Sequence, residues 1–198
     1  MNQSSSKAAF IDRDGVINEL IWNPATSCYE SPHHENDVRL ISTAFEALLL
    51  LQKEYKIFVV SNQPSYAKGK TSLEEIHKIS ANIANSLLAQ GIKIERFYYC
   101  YHHPHGIVPE YTKVCECRKP QPRFLLEAAK DFHLDLSQSW MIGDQDTDIL
   151  CGQNVGCKTA LILNKHSEAK RGETKPTLNA NDLWSAAQKI HSQTKETP

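Results

Sequence analysis

The chain has 198 residues, a net charge of -1, and 40% apolar and 23% charged residues. Such a length and composition support one folded core without covalent staples and set aside fibrous and disordered classes. No overall basic footprint suggests a nucleic-acid partner, no apolar run approaches membrane-spanning length, and the opening MNQSSSKAAFIDRDG lacks the apolar stretch of a leader. The expectation is a single cytoplasmic domain over 1–198, binding neither nucleic acid nor membrane. The polar ends, 1–6 and 192–198, are expected to be disordered.

Short apolar runs alternate with helical patterns along the chain. KAAFID (7–12) reads as a buried strand ending in acid, and a long loop follows through Pro24 and Pro32. Thr43 with Glu46 suggests a capping box opening a helix that carries Phe45, Leu48, Leu49 and Leu51. KIFVVS (56–61) is a β-branched, aromatic strand. Ser72 with Glu75 caps a second helix, in which Leu73, Ile76, Ile79, Ile83 and Leu87 recur on one face before Gly91. ERFYYC (95–100) is a third strand, and Pro122 opens a helix with Phe124, Leu125, Ala128 and Phe132. SWMIG (139–143) and CKTALIL (157–163) are further strands, separated by a short helix ending near Gly152. A last amphipathic helix starts near Asn181 or Asp182. The alternation predicts an α/β fold with a mainly parallel sheet covered on both faces, and such sheets bind ligands at the carboxyl ends of their strands.

The residues at those ends share a chemistry. Strand one is followed by Asp12, Arg13, Asp14 and Gly15, and strand two by Ser61, Asn62 and Gln63. Arg118 and Lys119 precede the third helix, and GDQDTD after the fourth strand supplies Asp144, Asp146 and Asp148. Converging carboxylates repel one another, and a hard cation with oxygen ligands, Mg²⁺, relieves this. A carboxylate can act as nucleophile in phosphoryl transfer, while an ammonium and neutral donors take up the phosphoryl charge. Asp12 fits the first role; Lys119, Ser61 and Asn62 fit the second. Asp14 faces the same side as Asp12 in an extended segment and suits general acid and base work. Taken singly, DxDG reads equally well as a tight turn, SNQ as a strand cap and GDxxxD as a helix N-terminus; the joint order favours the site.

DRDGVIN, SNQ, a lysine before a helix and GDxxxD together resemble the haloacid dehalogenase (HAD) superfamily of aspartate-nucleophile phosphatases, over roughly residues 8 to 165. The resemblance implies a Rossmannoid three-layer α/β/α domain with a minimal cap, and a monomer, as small members of this kind often are. It implies Asp12 as nucleophile, Asp14 as acid/base and donor of a backbone carbonyl to Mg²⁺, and Asp144 completing the metal site. Ser61, Asn62, Gln63, Arg118 and Lys119 would contact the phosphate or substrate, and Asp148 would orient Lys119.

One loop carries a second pattern. C-Y-H at 100–102 and C-E-C at 115–117 make two i, i+2 pairs able to close a Cys₃His tetrahedron, the structural zinc arrangement. Buried free cysteines with solvated histidines are the alternative. CYHHP followed by CECRKP is similar to one branch of the superfamily, the D-glycero-D-manno-heptose 1,7-bisphosphate phosphatases with the related histidinol phosphatases. That branch implies Cys100, His102, Cys115 and Cys117 as Zn²⁺ ligands. It implies a sugar-phosphate monoesterase acting through an aspartyl-phosphate on heptose bisphosphate for lipopolysaccharide precursors, with histidinol phosphate or heptose 1-phosphate as alternatives. A zinc-bearing binding module with decayed catalysis is the non-enzyme reading. Departures from the branch pattern are Pro64, Tyr66 and Lys68 in SNQPSYAKGK, Gln145 after GD, and a long polar 21–40 segment. His103 and His105 are left over from the ligand set, His33 and His34 are expected in solvent, Cys151 and Cys157 are expected to pack in the interior, and Cys28 has no partner pattern.

Overall fold

The computed structural model describes residues 6–195. Its centre is a six-stranded sheet in which every neighbouring pair is parallel. The strands are β1 (Ala8–Ile11), β4 (Lys56–Asn62), β5 (Ile94–Cys100), β6 (Trp140–Gly143), β7 (Lys158–Ile162) and β8 (Leu178–Ala180), ordered β5-β4-β1-β6-β7-β8. β2 (Ile21–Asn23) and β3 (Cys28–Glu30) pair antiparallel in a separate hairpin.

The two-residue period of a strand sorts side chains into two cores. Ala9, Ile11, Ile57, Val59 and Ile142 join one with α1 (Ser42–Leu51), α2 (Leu73–Ala89) and α5 (Leu183–Lys195). Ala8, Phe10, Phe58, Val60 and Met141 join the other with α3 (Arg123–Phe132) and with Cys151 of α4 (Asp146–Gln153). The result is the α/β/α layering expected. In α2 the buried residues are Ile76, Ile79, Ile83 and Leu87, each burial contributing about 1.5–3 kcal/mol before conformational entropy is subtracted.

Several sequence expectations shift. The capping box at Thr43 is absent: α1 begins at Ser42, its N-cap is Ile41, and no side chain caps it. Ser72 does cap α2, accepting from the Glu75 amide at 3.1 Å. The long loop after β1 contains the β2–β3 hairpin, whose three-residue strands are too short to show a period. β8, also three residues, was not anticipated. Ser6 forms a bridge with Leu134, and α5 runs on to Lys195, so the ordered chain takes in parts of both expected tails. Residues 1–5 and 196–198 lie outside the described residues. Cys151 and Cys157 are buried in the second core, as expected for packing residues. Among the described residues no helix is long and apolar enough to cross a membrane.

From β1 the chain moves to β4 and β5 on one side, then returns to β6 on the other. Connections therefore diverge at the carboxyl ends of β1 and its two neighbours, opening a crevice there.

Candidate active site

A cavity of about 410 Å³ occupies that crevice, lined by Asp12, Asp14, Ser61, Asn62, Lys119 and Asp148 among others. Each residue arrives there for a local reason. Asp12 still pairs with the sheet, its amide donating to the Ile142 carbonyl at 2.9 Å. The chain then turns back: the Ile17 and Asn18 amides both donate to the Arg13 carbonyl, and Gly15 sits at φ +86°. A side chain at Gly15 would also run into the Asp144 carboxylate, so glycine is required twice over. Ser61 and Asn62 end β4 beside Tyr99 and Cys100 of β5.

Lys119 reaches the cavity floor from a loop, not from a strand. Asn62 pins it: the Lys119 amide donates to Asn62 Oδ1 at 3.0 Å, and Asn62 Nδ2 donates to the Lys119 carbonyl at 3.2 Å. Its ammonium lies 2.7 Å from Asp12 Oδ1 and 2.7 Å from Asp148 Oδ1, and it donates to the Val60 carbonyl at 2.6 Å. Burial would lower its pKa, but Asp12 and Asp148 outweigh that and hold it above the usual lysine value. Asp148 is fixed from α4, where its other oxygen accepts from the Gln145 amide at 3.1 Å and Gln145 caps the helix in return. Gly143 leaves room for it, since a side chain there would overlap Asp148.

Oxygens of Asp12, Asp144 and Asp148 lie within 4.8 Å of one another, and all three residues are buried. Burial, then Asp12 and Asp148, push Asp144 up to about 8. Burial likewise pushes Asp148 up to about 6, Lys119 opposing. Neither Asp144 oxygen has a hydrogen bond of ordinary geometry, although the Ser167 hydroxyl is near enough to lower its pKa a little. Asp144 does not itself line the cavity, but an orphaned carboxylate beside Asp12 and Asp148, which do, fits a hard divalent cation, which would supply the missing partner and reverse those shifts.

Asp14 is also on the cavity wall, but its carboxylate accepts from Arg13, Asn18 and Gln63 behind it. Gln63 itself does not reach the cavity; its amide is turned to Asp14 and Ser61. Gln145 lines the cavity and has become a helix cap. His33 is half-buried 3.3 Å from Glu30, whereas His34 is exposed beside Glu75; both lie on a groove behind the hairpin. His103 and His105 are on the outer loop, the His105 amide donating to His103 Nδ1.

The cavity mouth holds residues the sequence did not single out. Tyr29, Glu30, Lys70 and Lys170 join Lys68 and Arg118 there. Lys70 is ion-paired to Glu30 of the hairpin at 2.5 Å. Lys68 and Lys170 have no ion-pair or hydrogen-bond partner among the described side chains. Burial lowers the pKa of Lys68, and Lys70, Arg118 and Lys170 lower it further, so the four cations share one field. The AKGK run was a visible signal for Lys68 and Lys70; nothing in the sequence ties Lys170 to them.

The loop from the end of β5 brings Cys100, His102, Cys115 and Cys117 together, with ligand atoms within 4.8 Å. All six cysteines are free thiols. Sulfur–sulfur separations are 3.3 Å for Cys100–Cys117 and Cys115–Cys117 and 3.5 Å for Cys100–Cys115; His102 Nδ1 is 3.5 Å from Cys117 and 3.8 Å from Cys100. A tetrahedron of ~2.3 Å zinc–sulfur bonds has edges of about 3.8 Å, so the cluster fits a closed Zn²⁺ site. The ligands border the cavity indirectly, through Arg118, whose Nη1 donates to the His102 carbonyl at 3.3 Å. Tyr66, one of the altered loop residues, packs edge-on against Tyr111 of this loop at 5.0 Å, and Tyr111 stacks near His102 at 5.8 Å.

Comparison with known proteins places this arrangement. A HAD-hydrolase-like family model matches residues 116–186. A D-glycero-D-manno-heptose-1,7-bisphosphate 7-phosphatase of Chlorobaculum tepidum is 31% identical over 92% of each chain. The D-glycero-beta-D-manno-heptose-1,7-bisphosphate 7-phosphatase of Escherichia coli K12 is 33% identical over 81% of this chain and 82% of its own. A D-glycero-alpha-D-manno-heptose-1,7-bisphosphate 7-phosphatase of Photorhabdus laumondii is 29% identical over 96% of this chain and all of its own. In fold, the crystal structure of D,D-heptose 1,7-bisphosphate phosphatase from B. bronchiseptica, complexed with magnesium and phosphate, superposes with a TM-score of 0.77 at 22% identity, covering 94% of this chain and 99% of its own.

Proposed function

Because this chain belongs to the D-glycero-D-manno-heptose-1,7-bisphosphate 7-phosphatase family of HAD-like hydrolases, and is thus a HAD-type phosphatase, we propose that it removes the 7-phosphate of that heptose bisphosphate through an aspartyl-phosphate. The observation that carries the reading is Lys119, buried and held 2.7 Å from both Asp12 and Asp148 on the cavity floor.

An incoming phosphate monoester enters beside Lys119 and Ser61, where an ammonium and a hydroxyl take up charge on its oxygens. A carboxylate oxygen of Asp12 attacks phosphorus and the ester P–O bond breaks. The departing sugar oxygen takes a proton from Asp14. Water then attacks the phosphorus, its proton passes to Asp14, and the Asp12–phosphorus bond breaks to release inorganic phosphate. Asp148 and the two Asn62 hydrogen bonds keep Lys119 in place throughout. Asp12, the Asp14 carbonyl and Asp144 would hold Mg²⁺, which neutralises carboxylate and phosphoryl charge when bound. Cys100, His102, Cys115 and Cys117 would hold Zn²⁺ with no open position, a brace for the loop that carries Arg118 and Lys119.

The bisphosphate is supported by the mouth of the cavity. Lys68, Lys170 and Arg118 gather positive charge there, while Glu30 is ion-paired to Lys70 and offsets part of the field at Lys68. A second phosphate on the substrate suits that field, and Arg118 suits it as a fork-shaped donor. The relatives act on both anomers by name, so both belong in the test. Phosphate release is measured with Mg²⁺ on the α and β heptose 1,7-bisphosphates, heptose 1-phosphate and histidinol phosphate. The bisphosphates are expected to turn over fastest; preference for histidinol phosphate would overturn the assignment of substrate, and activity surviving Asp12→Asn would overturn the mechanism.

A further inference from the structure

Directly behind the catalytic carboxylates lies a buried polar cluster that the reaction as derived does not use. Arg13 is fully buried, among the largest side chains that are, and Gln63 is almost so. Neither lines the cavity. Arg13 Nη2 lies 3.0 Å from Asp14 Oδ1 and 3.1 Å from Oδ2, with Nε 3.3 Å from Oδ1. The same Nη2 donates to Gln63 Oε1 at 2.8 Å. With its carbonyl oxygen so engaged, the Gln63 amide nitrogen faces two acceptors and has two protons: one goes to Asp14 Oδ2 at 2.5 Å, the other to Ser61 Oγ at 2.9 Å. Asn18 Nδ2 completes the set at 3.0 Å from Asp14 Oδ1. The Arg13 guanidinium also lies 5.5 Å from the centroid of the Tyr99 ring.

Two consequences follow from the donor count. Asp14 cannot rotate freely, because each of its oxygens is tied to groups that are themselves packed. Ser61 accepts from Gln63, which turns its own hydroxyl proton outward, toward the place a phosphate oxygen would occupy. One amide thus sets both the acid/base and the phosphate donor.

We propose that Arg13 and Gln63 are positioning residues that hold the Asp14 carboxylate and the Ser61 hydroxyl in register, so that proton delivery to the leaving oxygen depends on two side chains that never touch substrate. The inference rests on the reading of Asp14 as acid/base, and the test separates the two. kcat/KM is measured through leaving-group departure for two substrates: p-nitrophenyl phosphate, whose phenolate leaves without a proton, and the best sugar phosphate of the screen above, whose alkoxide does not. The variants are Gln63→Leu, similar in size without the amide, Arg13→Lys, which keeps charge and loses the fork, and Asp14→Asn as reference.

General acid catalysis is worth roughly 10²–10⁴-fold, so Gln63→Leu is expected to lower the sugar-phosphate value by ~10²-fold and the aryl value by under about 10-fold. Arg13→Lys should show the same selectivity. Should the buried Arg13→Lys protein fail to fold, Gln63→Leu and Gln63→Met decide, with thermal unfolding checking that each is native. A Gln63→Leu protein that loses both substrates equally, while Asp14→Asn remains selective, overturns the positioning role and leaves the acid reading standing. An unselective Asp14→Asn ends both.

Discussion

Two clusters of potential metal ligands adjoin the Arg118–Lys119 segment, one at Asp12 through Lys119 and the other at His102 through Arg118, and they differ in most physical respects. The acids at the sheet edge come from two stretches far apart in sequence, Asp12 after β1 and Asp144 with Asp148 from the end of β6 into α4, are buried, and leave Asp144 without a hydrogen-bond partner. The thiols and imidazole of the 100–117 loop come from two short segments, are only partly buried except Cys100, and sit at separations that four bonds to one ion would satisfy. The first is an incomplete site that a substrate and a cation would finish; the second would be complete with its ion alone. An open arrangement leaves coordination positions for chemistry, whereas a closed one can only hold backbone in place.

The comparison breaks first at Asp12, the proposed nucleophile. Asp12→Asn is expected to cut kcat by at least ~10⁴-fold in a steady-state assay, as loss of a covalent nucleophile does, with the zinc content unchanged. Unfolding temperature should hold or change little; a collapse of the fold would mean that Asp12 is structural. Next comes Lys119→Ala. Losing one preorganised charge donor is expected to lower kcat by about 10²–10³-fold. Because Asp12 and Asp148 would be left buried and unpaired, stability should also fall by about 3–5 kcal/mol in denaturant unfolding.

On the other side of the comparison, Cys115→Ser should abolish the proposed zinc binding and lower activity by a smaller factor, about 10–100-fold, through loosened support of Lys119. Hydrogen exchange is expected to rise in residues 100–119 and stay low in β1 and β6. Equal loosening of the sheet would mean that the loop is more than a brace, and full activity without the ion would mean that it is less.

The smallest effect concerns the hairpin. Glu30 is held down at about 2: burial would raise it, but hydrogen bonds from Lys70, Thr26 and Asn23 outweigh that. A depressed carboxyl contributes stability that is complete above its ordinary value of 4.5 and is lost as pH falls toward 2. The emission of Trp22, half-exposed on the hairpin and packed edge-on against Tyr29, should therefore change between pH 4.5 and 2, a change absent in Trp22→Phe. Glu30→Gln should shift that emission at neutral pH and raise KM more than it lowers kcat.

Much of this was legible from residue order. The buried strands announced themselves as short apolar runs, β-branched in KIFVVS, α2 by Ile76, Ile79, Ile83 and Leu87, and the two candidate metal-ligand groups by DRD, GDxxxD and the CYH and CEC pairs. What escaped was either too short or too distant. IWN and CYE make a hairpin of three-residue strands, below the length at which alternation can be read. Thr43 and Glu46 have the spacing of a capping box, yet the helix starts two residues earlier than that box requires because the backbone enters α1 from Ile41, whose amide donates to the Ile17 carbonyl at 2.9 Å. Gln63 belongs to a motif that points to phosphate, and packing turned it inward instead.

Residue type and spacing alone determined the α/β alternation, the acids at the strand ends and the four soft ligands of the loop, because those depend on periodicity and on chemistry carried by single side chains. Only the tertiary structure decided that Lys119 lies between Asp12 and Asp148, that Arg13 is buried against Asp14, and that Lys170 joins Lys68 at the cavity mouth. Those pairings span up to more than a hundred residues, and they exist because a parallel sheet gathers the carboxyl ends of its strands at one edge, whatever their distance along the chain.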